Sequence, residues 1–170
     1  MSGQKVLALR DGVCVPVRSI RTEDAAALQR LVGRSSDRSV ELRFFGPLKE
    51  LSDEMAERFA DVDGEDRYAV VALDPEHPDE IVGVARYERE RGTDGAEYAA
   101  LIEDRFQHRG LGIGLTRNLI EAARENGIRH LHALVLRENA GMLSLLRSLD
   151  LPERLRWKDG AECVELDLSS

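Results

Sequence analysis

Eight consecutive residues, Gln107-His108-Arg109-Gly110-Leu111-Gly112-Ile113-Gly114, hold three glycines, and Arg105 and Arg117 flank them. The segment follows a strand-like run and opens a helix-like one, the context in which a glycine-rich stretch carries chemical meaning. The first turn of a helix has unpaired N–H groups and a positive dipole end, so it can hold an anion. Gly110 and Gly112 permit backbone geometry and close approach that a Cβ would obstruct. With this local positive charge, the spacing points to a diphosphate. The plainer alternative is an ordinary glycine-containing loop. A glycine inside a helix costs up to about 1 kcal/mol relative to alanine, so Gly114 then needs a reason of its own.

Two familiar phosphate sites do not match. A P-loop requires Lys followed by Ser or Thr after its last glycine, and Ile113-Gly114 follow here. A dinucleotide-binding turn belongs at the start of a parallel sheet, with an acidic residue ending the next strand. This turn lies two-thirds along the chain, behind what reads as an antiparallel meander.

Other reactive residue types offer less. Cys14 and Cys163 lie far apart, in neither a C-x-x-C nor a spaced histidine pair, and read as two free, mostly buried thiols. Of the four histidines, His130 and His132 share one face of a strand without a third ligand. His108 belongs to the glycine turn and His77 to a loop. No metal site is expected.

The elements that must position the turn are legible from periodicity. Val6–Leu9 and Val13–Val17 flank Arg10-Asp11-Gly12 as a hairpin. Thr22 is placed to cap a helix carrying Ala25, Leu28, Leu31 and Val32, which Gly33 ends. Ser39–Phe45 reads as a short helix stopped by Gly46-Pro47. Ser52 caps another with Met55, Phe59 and Val62, broken by Asp63-Gly64. Tyr68–Leu73, Ile81–Glu88 and Ala96–Ile102 are strand-like. Leu115, Leu119, Ala122 and Ala123 then form a helical stripe closed by Asn126-Gly127. Leu131–Leu136 reads as a strand, Met142 to Leu149 as a helical stripe, and Val164–Leu168 as a final strand. Helices first, then a meander, then a βαβ-like crossover give an α/β class, or α+β, with a mixed sheet flanked by helices.

Length and charge set the frame. The 170 residues suit one domain, 1–170, with residues 1–14 as an N-terminal hairpin extension. A chain of this size buries roughly 70% of its unfolded surface. The net charge of −8 argues against nucleic acid or an anionic membrane as partner and permits a basic one. The longest apolar runs, such as Ala69–Leu73, are far too short for a bilayer. Met1–Lys5 lack a secretory layout, so a cytoplasmic location is expected.

Gln107, Gly110 and Gly112 match in full the Q/R-x-x-G-x-G/A motif of the GNAT acetyltransferases, which this chain resembles over roughly Val15 to Leu151. The resemblance implies a GNAT fold, a mostly antiparallel sheet whose parallel half binds acetyl-CoA as co-substrate. Main-chain amides across Gln107, His108, Arg109, Gly110, Leu111, Gly112 and Ile113 would take its pyrophosphate. The strand Ala100-Leu101-Ile102 would lie along its pantetheine. The Asn139-Ala140-Gly141-Met142-Leu143 helix start also matches. There the family's Asn commonly reaches the cofactor arm, although Asn139 suits a helix cap equally.

Leu42-Arg43-Phe44-Phe45-Gly46-Pro47 and Phe59-Ala60-Asp61-Val62-Asp63 narrow the resemblance to bacterial Pat-type protein-lysine acetyltransferase domains. In themselves Phe44 and Phe45 read as core packing. The likeness implies a protein partner with an exposed lysine, and a catalytic glutamate at Glu97. A lysine amine near pKa 10.4 must lose a proton before it attacks a thioester, and a carboxylate can take it. Burial among Ala96, Tyr98 and Ala99 is expected to tune that carboxylate, while the plain reading is a solvent-facing strand glutamate. Two positions depart from the wider pattern. Leu146 stands where many members have a Tyr acid, and Asp150-Leu151 replace Gly-Phe. Tyr68, Tyr87 and Tyr98 read as sheet packing. Acetylation of a small amine or antibiotic, and a non-catalytic acyl-CoA sensor, remain as alternatives.

Overall fold

A computed structural model of the chain describes residues 5–169. The reading of the N-terminus rests on Met1–Lys5, four of which lie outside the described residues. One eight-stranded sheet runs in the order β1-β2-β3-β4-β5-β6-β8-β7. Its strands are β1 (Lys5–Ala8), β2 (Cys14–Ser19), β3 (Arg67–Leu73), β4 (Ile81–Arg89), β5 (Gly95–Ile102), β6 (His130–Val135), β7 (Glu153–Lys158) and β8 (Ala161–Asp167). Five helices cover it: α1 (Ala25–Arg34), α2 (Asp37–Phe44), α3 (Asp53–Ala60), α4 (Leu111–Glu125) and α5 (Ala140–Arg147). Among the described residues every pairing is antiparallel except β5 with β6. The mixed α/β architecture expected from the sequence is therefore present.

That one parallel pair shapes the molecule. It registers only Gly95–Glu97 against His130–His132. Beyond it, β5 continues toward Ile102 with β4 as its partner, and β6 continues toward Val135 with β8. The strands part, and a cleft opens between them.

Each face of the sheet carries its own core. Leu115, Leu119 and Ala123 of α4 pack against Tyr87, Ala96, Tyr98, Leu131 and Val164. On the other face Leu28, Leu31 and Val32 of α1, with Ala56 and Ala60 of α3, meet Ala69, Val71 and Val84. The period-2 alternation of a strand sends Ala96 and Tyr98 to the first face and Glu97 to the second.

Local chemistry sets the helix ends. The Ser36 and Ser52 hydroxyls accept the N–H of Ser39 and Met55, capping α2 and α3. Thr22 is not the cap of α1. Thr22–Asp24 form a short 3₁₀ turn, and the Asp24 carboxylate takes the Arg21 N–H and a two-pronged contact from Arg18. A charged partner on β2 outcompetes a local hydroxyl. The hairpin of β1 and β2 is present as expected, and β2 goes on to pair with β3.

Candidate active site

A cleft of about 490 Å³ lies where β5 and β6 part, walled by α2, the glycine turn and α5. Gly110 ends the turn at φ +92°, a left-handed conformation that glycine reaches without strain. Leu111 then begins α4. The first bond along that helix runs from the Gly114 N–H to the Gly110 carbonyl. The N–H groups of Leu111, Gly112 and Ile113 precede it and are free to meet an anion.

Several side chains brace this turn. The Gln107 carboxamide donates to the Ile102 carbonyl at 2.9 Å and to Ser39 Oγ at 3.0 Å. Asp104 accepts from Ser36 and Ser39 at the start of α2. Burial alone would raise the Asp104 carboxyl, but these bonds hold it below the ordinary value. One network thus joins β5, the turn and α2. The tip of the β1–β2 hairpin closes on the turn from outside. Arg10 donates its N–H to the Arg109 carbonyl, and the Arg109 guanidinium pairs with Asp11 at 2.7 Å.

The residues singled out from sequence do not all face the cleft. Glu97, Leu101, Ile102, Gln107, His108, Gly110, Gly112, Ile113 and Asn139 line it. Leu111 is wholly buried in the α4 core, which leaves only its backbone for a ligand. Arg109 turns outward to Asp11 and the Phe106 ring. Asn139 uses its carboxamide oxygen to cap α5 by accepting the Met142 N–H at 3.1 Å.

Three expectations change. Glu97 is exposed rather than buried, because Ala96 and Tyr98 point to the opposite face. Phe45 is 48% exposed at the cleft rim, whereas Phe44 packs near Phe59. Cys14 is exposed, and only Cys163 is a buried thiol.

Two glycines have packing reasons. A Cβ on Gly112 would meet Leu145 Cδ1 of α5 at 2.7 Å, and one on Gly114 would meet Leu7 Cδ1 of β1 at 3.0 Å. The first gap lets α4 and α5 meet under the cleft, and the second seats the hairpin.

The tyrosines stay in the sheet layers. Thr116 donates its hydroxyl proton to the Gly112 carbonyl, so at 2.6 Å it accepts the Tyr98 phenol. Burial pushes that phenol up to about 12. The Tyr87 phenol donates to the Glu65 carbonyl, and its ring stacks on Tyr68. Leu146 is buried. Among the described residues no group of His, Cys, Asp and Glu could hold a metal ion. His132 instead lies 2.8 Å from Glu90.

Sequence reasoning missed Arg10, Arg43 and Ser144 as lining residues. No local signal marks Arg10, which reaches the cleft only because the hairpin docks. Arg43 was visible as part of a motif, without a direction.

The acetyltransferase (GNAT) domain model matches residues 15–151. An acetyltransferase of Pseudomonas aeruginosa is 33% identical over 145 residues, covering 85% of this chain and 78% of that protein. The GNAT domain of S. lividans PAT superposes with a TM-score of 0.89 at 31% identity over 96% of each chain. An acetyltransferase from Salmonella typhimurium, solved with its cofactor acetyl-CoA, gives 0.71 at 18% identity over 92% of this chain and 95% of its own. At that identity the likeness is one of fold.

Proposed function

The chain belongs to the GNAT acetyltransferase family, and from that premise we propose that it moves the acetyl group of acetyl-CoA to the ε-amine of a lysine in another protein, with Glu97 as base. The observation that carries this reading is one continuous cleft with an open-amide turn at one end and Glu97 at the other. The turn suits a diphosphate. The parted β5 and β6 offer Leu101, Ile102, Ala133 and Val135 to an extended thioester arm. Glu97 stands where the strands begin to separate.

In this proposal the amine nitrogen attacks the thioester carbonyl carbon, the C–S bond breaks, and the sulfur leaves as thiolate. Glu97, directly or through a water, accepts the proton that the amine sheds. A thiol of pKa near 8.5 is a competent leaving group without an acid, which fits Leu146 at the position of the usual Tyr. Direct attack is favoured because neither cysteine lines the cleft. Glu97 is exposed in the free protein, so the bound acceptor would itself exclude water from the carboxylate. Two cysteines that form no disulfide suit a reducing, cytoplasmic setting. Among the described residues, no helix is long and apolar enough to cross a membrane.

Glu97→Gln tests the assignment. The substitution should lower kcat by about 10²–10⁴-fold, roughly 3–5 kcal/mol of barrier, while CoA affinity measured by calorimetry stays the same. A normal rate in Glu97→Gln would make Glu97 a strand residue only. Tight acetyl-CoA binding with no transfer to any amine would make the chain a sensor.

A further inference from the structure

Arg43 stands in the cleft beside Glu97, which attracts it, but among the described residues it makes no ion pair with a carboxylate. It lies in the last turn of α2, and its guanidinium is 4.6 Å from the Phe44 ring centre and 5.9 Å from that of Phe59. Arg86 of β4 lies on Phe59 as well, at 4.6 Å, and donates to the Phe59 carbonyl. Ring faces hold a guanidinium in place but use none of its five N–H donors. The chain carries 32 acidic residues. Arg18, Arg34, Arg105 and Arg109 all have carboxylate partners. Arg43 and Arg86 have none among the described residues.

The cost of this arrangement is visible in both groups. Burial pulls Arg43 below its ordinary value, against the attraction of Glu97. Burial also draws Arg86 down to about 10, with the like charge of Arg43 as the next cause. Two guanidiniums held together and partly out of water are destabilised until an anion arrives. Of the two, Arg43 alone reaches the cleft.

We propose that Arg43 reads a carboxylate on the acceptor, so that the preferred amine is a lysine with an acidic residue beside it. The proposal rests on the reading of this cleft as an amine-acetylating site. Glu97 would receive the amine while the planar fork of Arg43 takes the neighbouring carboxylate two-pronged. Arg86 holds Phe59, and through it the ring face on which Arg43 rests. A free amino acid would present the same two groups, amine and carboxylate, and the experiment separates the two sources.

Binding is measured by calorimetry with CoA present, so that no transfer occurs. The probes are blocked pentapeptides with Glu-Lys or Ala-Lys at the centre, and lysine against lysinamide. The Glu-Lys peptide should bind about 10–100-fold more tightly than the Ala-Lys peptide, the worth of a charge-assisted pair. Arg43→Gln should erase that preference, Arg43→Lys should keep part of it, and Arg43→Glu should turn it toward a Lys-Lys peptide. Circular dichroism and a CoA titration establish that each variant is folded. An Arg43-dependent preference seen only for lysine over lysinamide assigns the carboxylate to a free amino acid. Equal affinity across every pair, a preference that survives Arg43→Gln, or no binding of any probe would overturn the subsite. Transfer is assayed separately with acetyl-CoA. Its absence, with the binding preference intact, would fell the acetylation reading and leave the carboxylate subsite standing.

Discussion

At the scale of single residues, the glycine turn and Arg10 meet through the docked β1–β2 hairpin. Gly110 adopts the left-handed backbone that its residue type makes available, and the amides of the α4 start are open. Residue type and spacing carry that information locally. Arg10 is different. It lies 100 positions before Gly110, yet its side chain sits 3.5 Å from where a Gly110 Cβ would be. Only docking of the hairpin creates this approach. Arg10 lines the cleft beside His108 and Gly110, and among the described residues its guanidinium has no carboxylate partner. If it shares in holding the diphosphate, Arg10→Ala should weaken CoA binding about tenfold, the low end of the worth of a charge-assisted hydrogen bond. Calorimetry at two salt concentrations checks this, because the variant should also show the shallower salt dependence. Unchanged affinity would make Arg10 a bystander.

At the scale of elements, strands with an apolar face and helices with serine caps were read close to their bounds. β7 was missed. Its residues, Glu-Arg-Leu-Arg-Trp-Lys, alternate, but charge dominates one face and Leu155 and Trp157 stay exposed on this edge strand. The Asp159-Gly160 turn, with both φ values positive, was the available sign of a hairpin. The start of α1 was misread for another reason. Arg18 lies on β2, so no local rule brings it to Asp24, yet its two-pronged contact at 2.7 and 2.9 Å organises the turn. Asp24 is 7% exposed. Burial alone would raise its carboxyl, but the bonds from Arg18 and Arg21 outweigh burial and hold it below 3.8. The stability it contributes is therefore complete above that ordinary value and is lost as pH falls through the lowered one. Asp24→Asn leaves Arg18 uncompensated and should cost about 3 kcal/mol near neutrality. In thermal unfolding that is about 6–12 °C for a domain of this size. The gap between variant and wild type should narrow only in acid, below the ordinary carboxylate pKa. A gap of equal size at low pH would assign the loss to packing.

At the scale of the whole molecule, net charge and local charge pull in opposite directions. The chain is acidic, at −8, and Glu88, Glu97 and Glu165 fall in one register row with His132 on the α1–α3 side of the sheet. Yet Arg10, Arg43 and His108 face the cleft. Composition reports the first fact and is silent on the second, since a sum of charges has no direction. The two fields also differ in reach. Exposed charges act over about 10 Å at 0.1 M salt, while contacts in a partly enclosed cleft are screened much less. For a folded, basic protein acceptor, the acidic surface should speed encounter. Raising salt from about 50 mM to about 500 mM should therefore lower kcat/KM for that acceptor by about tenfold or more and leave kcat nearly unchanged. A short peptide with the same acceptor sequence touches only the cleft, so its kcat/KM should fall much less. Acetyl-CoA must be saturating at both salt concentrations, because its own binding weakens with salt. If peptide and protein lose kcat/KM equally, the acidic surface has no part in choosing the acceptor, and selection rests with the cleft alone.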